Sequence, residues 1–271
     1  MIRYLIPVLA LFAGSAQAQD CGTAQDRCEI PGGFYVASLP DDTPRGAVVF
    51  LHGYGGRAEG TVANRGLMNA LNSRGYAVIA VQGMPRFEGD RGGSWNSMAR
   101  GGARRDDVEF VDSVADHAAQ RFGFNRENSI LAGFSGGGMM TWRVACDAPT
   151  SFAAYAPIAG TLWNPLPETC AAAVRLFHTH GTSDDVVPLA GRTVGSGITQ
   201  GDVFEVLDLQ RTANGCSTSS PQAPVKSAIF EVQSWEDCAP DSDLTVALHP
   251  GGHAIPNGWT PMILDWYEAL P

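Results

Sequence analysis

Ser135 stands in the run Ile130-Leu-Ala-Gly-Phe-Ser-Gly-Gly-Gly-Met-Met140. An apolar stretch leads straight into Gly-Phe-Ser-Gly-Gly, and residues able to form a helix follow. G-x-S-x-G at such a junction is the pattern of a serine on a sharp strand-to-helix turn, with its hydroxyl pushed into the open. Gly133 and Gly137 flank it because a side chain at either place would collide with a neighbouring strand or helix. The backbone N–H of Gly136 would point to where an oxyanion forms, and the start of the helix adds the positive end of its dipole. A Gly-rich turn that only lets a helix approach a sheet would carry the same glycines. The pattern therefore needs partners elsewhere in the chain.

A serine hydroxyl is a poor nucleophile at neutral pH. It needs a base within hydrogen-bond reach, and the base needs an orienting carboxylate. On a sheet with such a turn, these follow in the order Ser, Asp or Glu, His, each just past a strand end. The carboxylate candidate lies in Leu176-Phe-His-Thr-His-Gly-Thr-Ser-Asp-Asp-Val-Val-Pro188. An apolar strand ends there near Gly181 and an acidic pair follows. Asp184 is the choice, and Asp185 is the local alternative, because spacing does not settle an offset of one residue. The base candidate is His253, carried by the Gly-Gly loop of Leu248-His-Pro-Gly-Gly-His253. His249 is still at the strand end and reads as a packed, hydrogen-bonded residue. His178 and His180 precede the acidic pair and fail the order test, and His117 is expected to face solvent from a long helix.

The second oxyanion donor should come from the loop after an early strand. Phe50-Leu-His-Gly-Tyr-Gly-Gly56 is such a loop. Gly53 allows its sharp turn and the N–H of Tyr54 is the expected donor, with His52 as a structural hydrogen-bonder. Trp95 is a candidate wall for the substrate, Trp163 reads as packing, and Trp142, Met139 and Met140 are expected to pack the helix after Ser135. The reaction these groups can perform is a two-step acyl transfer through an acyl-serine, which needs no metal or cofactor.

These side chains must be positioned by a layered fold. Short apolar runs bounded by turn signals read as buried strands at 47–51 and 76–81, with a first strand at 34–39 and further strands at 129–132, 153–158, 174–177, 228–232 and 244–248. Helices are expected over 61–74, 105–122 (stopped by Gly123), 203–212, and from Thr260 as N-cap with Pro261 as first residue. Strands alternating with helices give an α/β fold: a mostly parallel central sheet with helices on both faces. Gln82 to Arg104 is a long Gly-rich loop of the kind that often carries function.

Arg3, the apolar stretch Ile6–Ala13 and Ala16-Gln-Ala18 have the form of a signal peptide over 1–18. That leaves 19–271 as a single catalytic domain, exported to the periplasm or the medium. All six cysteines follow the cleavage point, which suits disulfides in an oxidising compartment. Nearest-neighbour pairing gives 21–28, 146–170 and 216–238. No C-x-x-C and no His pair at i, i+4 suggests zinc. A formal net charge of −10 argues against nucleic acid and against an anionic membrane surface as partners.

Leu-His-Gly-Tyr-Gly-Gly, Asp-Asp-Val-Glu-Phe-Val, Gly-Phe-Ser-Gly-Gly-Gly-Met-Met, His-Gly-Thr-Ser-Asp-Asp-Val-Val-Pro and Gly-Gly-His together resemble the exported α/β-hydrolases grouped as polyhydroxybutyrate depolymerases and feruloyl esterases. The resemblance runs from about Phe34 to the last helix. It implies an α/β-hydrolase fold, Ser135 as nucleophile, Asp184 as orienter, His253 as base, and Tyr54 and Gly136 as oxyanion donors. The implied substrate is a small or oligomeric ester with a short-acyl, hydroxyalkanoate or feruloyl group. No linker or separate polymer-binding segment is expected, which turns the expectation away from solid polymer. A serine peptidase or thioesterase would use the same groups, and a binding protein on this fold would be expected to lack one of them.

Overall fold

The computed structural model describes residues 21–22, 26–98, 105–195, 197–217 and 220–271. The expected signal peptide at 1–18 and the end of the Gly-rich loop at 99–104 lie outside the described residues.

Six strands form the parallel centre of a ten-stranded sheet. In spatial order they are β4 (Tyr76–Val81), β3 (Gly46–Leu51), β5 (Ser129–Phe134), β6 (Ala154–Ile158), β7 (Arg175–Gly181) and β12 (Asp243–His249). Every residue of β3, β4 and β6 is buried, as helix-covered parallel strands require. Antiparallel strands extend both edges. β2 (Gly33–Ser38) and β1 (Cys28–Ile30) lie beyond β4, and β11 (Phe230–Ser234) and β10 (Val225–Ser227) lie beyond β12.

The expected helix at 61–74 is two helices, α1 (Ala58–Val62) and α2 (Arg65–Asn72). Asn64 breaks them, because its side chain accepts from Leu67 N–H and so caps a new helix. α3 (Asp107–Phe122) has Asp106 as N-cap and ends at Gly123, whose φ of 76° favours a residue without a Cβ. α4 (Gly136–Asp147) follows Ser135 directly, and α5 is Val203–Ala213. The last helix, α6 (Trp259–Ala269), starts earlier than expected: its N-cap is Gly258, and Thr260 and Pro261 lie inside the first turn. The strand expected at 228–232 is shifted, because Ala228 and Ile229 form the turn between β10 and β11, with Ala228 at φ 54°. Two features were not expected: the edge strand β1 and a small hairpin, β8 (Thr193–Val194) with β9 (Ile198–Thr199).

Apolar residues on the two faces of the sheet make separate cores. Trp142, Met140 and Tyr155 lie in one, and Trp259, Phe177 and Leu71 in the other. His117 is not a free surface residue: half-buried, it shares a 2.8 Å hydrogen bond with Tyr35 Oη. Three disulfides join Cys21–Cys28, Cys146–Cys170 and Cys216–Cys238. No helix among the described residues is long and apolar enough to cross a membrane.

Candidate active site

β5 ends at Phe134, and the chain turns into α4 through Ser135 at φ 57°, ψ −119°. This is a strained position for a residue with a Cβ. It is held from both sides: Ser135 N–H donates to Ile158 O at 2.9 Å, and Met139 N–H donates to Ser135 O at 2.8 Å. So tight a turn excludes side chains nearby. A Cβ on Gly133 would strike Gly137 O, and one on Gly137 would strike Leu51 O. The Ser135 hydroxyl makes no helix-cap bond, which leaves it available to other partners.

The partner is His253, carried by the loop after β12. Its Nε2 lies 2.8 Å from Ser135 Oγ and its Nδ1 2.7 Å from Asp184 Oδ2. The three side chains come from positions 118 and 69 residues apart in the chain. Asp184 is fully buried, and its other oxygen accepts from Val186 N–H at 2.9 Å and Val187 N–H at 2.8 Å. The carboxylate is thus solvated by the protein and fixed in direction. With Nδ1–H donating to that carboxylate, Nε2 is free to accept the serine proton. Asp185, the alternative carboxylate, is exposed.

Tyr54 and Gly136 are brought side by side. An added Cβ on Gly136 would stand 3.2 Å from Tyr54 N. Tyr54 N therefore lies close to Gly136, at the N-terminus of α4 beside Ser135. His52 is structural: its Nδ1–H donates to Gly53 O at 2.8 Å and its Nε2 accepts from Gly83 N–H at 3.0 Å. Burial lowers its pKa and keeps it neutral. His249 is buried, with Nδ1 accepting from Gly251 N–H at 3.1 Å.

The comparisons with known proteins agree with this architecture. Residues 64–166, which include Ser135 and its strand and helix, match the model of the prolyl oligopeptidase family. The chain is 28% identical over 245 residues to "Putative esterase NocK" of Nocardia uniformis subsp. tsuyamanensis, covering 83% of this chain and 69% of that protein. It is 23% identical to feruloyl esterase C of Emericella nidulans, covering 92% of this chain and 90% of that one. In structure it is similar to the acetyl xylan esterase of Aspergillus awamori, with a TM-score of 0.62 and 16% identity over 87% of this chain and 93% of that one. A Bacillus cereus carboxylesterase superposes with a TM-score of 0.57 and 18% identity over 88% and 94% of the two chains. The chain has the α/β-hydrolase fold, and the relatives it is similar to are named esterases.

A cavity of about 500 Å³ opens beside Ser135, with Tyr54, Gly136, Trp95, Met139 and Trp163 in its walls. Trp95 serves both packing and lining: it is 8% exposed, and its indole N–H donates to His52 O at 2.8 Å. Trp163, expected only to pack, is half-buried in the cavity wall, with Nε1 donating to Ser97 Oγ at 3.1 Å. Met139 also reaches the cavity, while Met140 and Trp142 are core. A larger groove of about 730 Å³, with Arg27, Arg57, Arg91 and Arg105 in its walls, contains none of the three triad candidates.

His178 and His180 have a part that order along the chain did not reveal. They lie two apart on β7 and so face the same side. Trp142 Nε1–H donates to His178 Nδ1 at 3.2 Å, His178 Nε2 contacts His180 Nδ1 at 2.9 Å, and His180 Nε2 contacts Val187 O at 2.7 Å. An indole N–H only donates and a carbonyl only accepts, so the direction of the whole file is set. Burial first, and then the mutual proximity of the rings, lowers the His178 pKa well below its ordinary value. The file ends on the segment whose amides hold Asp184.

Proposed function

We propose that this hydrolase is an exported serine carboxylesterase in which Ser135 is the nucleophile, His253 the general base and Asp184 the orienting carboxylate. Residues 1–18 would be the export signal and 19–271 one catalytic domain. The observation that carries the reading is the single imidazole bridging Ser135 Oγ at 2.8 Å and Asp184 Oδ2 at 2.7 Å. Three disulfides fit an oxidising compartment.

As Ser135 Oγ bonds to the ester carbonyl carbon, its proton passes to His253 Nε2. The carbonyl oxygen becomes an oxyanion between the N–H groups of Tyr54 and Gly136, aided by the positive end of α4. One such donor contributes roughly 3 kcal/mol to lowering the barrier. Asp184 holds the imidazole in the required tautomer and stabilises its cation. The C–O bond to the alcohol then breaks, and the alcohol leaves with the proton from Nε2. Water gives its proton to the same nitrogen as it attacks the acyl-serine, and Ser135 recovers a proton when the acid departs. The 500 Å³ cavity with its aromatic walls suits a small ester, in the class of short-acyl, hydroxyalkanoate or feruloyl groups. The names of the feruloyl and acetyl xylan esterases it is similar to support that class.

A fluorophosphonate probe tests the reading. The expected result is covalent labelling of Ser135, lost together with hydrolysis of 4-nitrophenyl acetate in Ser135→Ala. A folded wild-type protein that neither labels nor hydrolyses would be a binding protein. The prolyl oligopeptidase match over 64–166 makes a peptidase the second reading. Cleavage of a prolyl amide faster than of the matching ester would favour it.

A further inference from the structure

Arg192 is the one charged residue among the described residues that line the cavity beside Ser135. Around it the walls are mostly apolar, with Trp95, Met98, Met139, Val187 and Val194. Its Nε–H donates to Val186 O at 2.8 Å. Among the described residues no carboxylate pairs with it, although the chain carries 28 acidic residues against 18 Lys and Arg. A guanidinium has five donors in a planar fork. Arg192 is exposed, so its Nη1 and Nη2 hydrogens are open to solvent or to a ligand.

The hairpin β8–β9 sets this place. At its base Gln200 N–H donates to Arg192 O at 2.8 Å, and Gln200 Nε2 donates to the same Val186 O at 3.3 Å. That carbonyl can only accept, so the amide turns its NH₂ end to it. Gln200 Oε1 is left buried and without a partner, on a side chain that also lines the cavity. Beside this acceptor, Arg192 is a cation without its anion. Both rest on Val186, whose own N–H binds Asp184. An anion supplied from outside would complete the guanidinium, while Gln200 Oε1, itself an acceptor, calls for a separate N–H or O–H donor.

We propose that Arg192 binds a free carboxylate on the acyl part of the substrate, so that the preferred esters are half-esters of dicarboxylic acids or similar acid-bearing acyl chains. Gln200 marks the same end of the cavity as polar. This rests on the acyl-transfer reading of Ser135 and narrows its substrate class. Arg192 is exposed, so solvent screens the contact, but a bidentate guanidinium–carboxylate pair is directional, and a preference of about tenfold corresponds to about 1.4 kcal/mol.

The test compares 4-nitrophenyl half-esters of glutaric, adipic and suberic acids with the same chains ending in a carboxamide, reading nitrophenolate release. Each pair differs by one charge, and the three lengths sample different reaches from the ester carbon. In wild type the acid is expected to exceed its amide in kcat/KM by about tenfold for at least one length. The preference should shrink with rising salt. Arg192→Gln should abolish the ratio, and Arg192→Lys should keep part of it, because the charge remains but not the fork. The ratio is measured within each variant, so a change in folded fraction cancels. Equal rates for acid and amide at all three lengths in wild type, or a ratio untouched by Arg192→Gln, overturn the inference. Hydrolysis of 4-nitrophenyl acetate, lost in Ser135→Ala, would then show that only this inference had failed; without it the parent reading fails as well.

Discussion

His180 Nε2 lies 3.6 Å from Asp184 Oδ2, the oxygen that His253 Nδ1 contacts at 2.7 Å. Two imidazoles thus stand near one buried carboxylate. Only His253 is close enough to bond with it, because His180 Nε2 is engaged by Val187 O at 2.7 Å. Asp184→Asn should therefore leave the loop in place, since Oδ1 can still accept from Val186 and Val187, but should present an amide to His253 and favour the wrong tautomer. A loss of roughly four orders of magnitude in kcat is expected, with the circular dichroism spectrum unchanged. Asp185→Asn, on an exposed side chain, should alter kcat/KM by no more than about twofold. Equal losses in the two variants would refute Asp184 as the orienter.

Stability should fall on mild acidification. Burial lowers the pKa of His178, His180, His52 and His249 in the folded chain. Above the unfolded value, about 6.5, both states are neutral and the full stability is present. As pH falls below that value the unfolded chain takes up protons that the native one refuses, so stability drops until the lowered native values are reached. The slope is no more than about 1.4 kcal/mol per pH unit for each histidine. Urea midpoints between about pH 7.5 and pH 5.5 would show it, and His178→Gln should flatten it. A midpoint that rises on acidification contradicts this account.

The turn around Ser135 should resist even a methyl group. In Gly137→Ala the new Cβ would meet the carbonyl oxygens of Leu51 and His52, both backbone and unable to rotate away. A destabilisation above about 4 kcal/mol, or no soluble protein, is expected. Gly60→Ala in α1 is the contrast, because a Cβ there meets nothing within 4 Å. It should be neutral or stabilising by about 0.5–1 kcal/mol. Expression yield and urea denaturation of the pair check both.

The disulfide Cys146–Cys170 ties the end of α4, whose start follows Ser135, to the segment before β7. It closes 24 residues, against 7 for Cys21–Cys28. By loop entropy its removal costs about 3 kcal/mol and that of the shorter loop about 2 kcal/mol. Thermal unfolding of the two double-alanine variants should rank them in that order. The reverse order would mean that the unfolded chain does not control these crosslinks.

Much of this protein was legible in one dimension, because some constraints are local. Buried parallel strands must be apolar throughout, so 47–51 and 76–81 stood out and hold in the fold as Gly46–Leu51 and Tyr76–Val81. A serine turn needs glycines at set offsets, and the required order of serine, acid and imidazole left one main candidate for each. Other things were decided only by packing in three dimensions. Asp184 is distinguished from its neighbour because Val186 and Val187 fold their amides onto it while Asp185 points to water. The His178–His180 file exists because α4 brings Trp142 over β7. Arg192 belongs to no motif in the sequence, and only the fold sets it, beside a short hairpin, in the wall of the Ser135 cavity. Patterns of apolarity and turn residues act between near neighbours and survive in the sequence, whereas hydrogen bonds between distant residues depend on which surfaces the fold brings together.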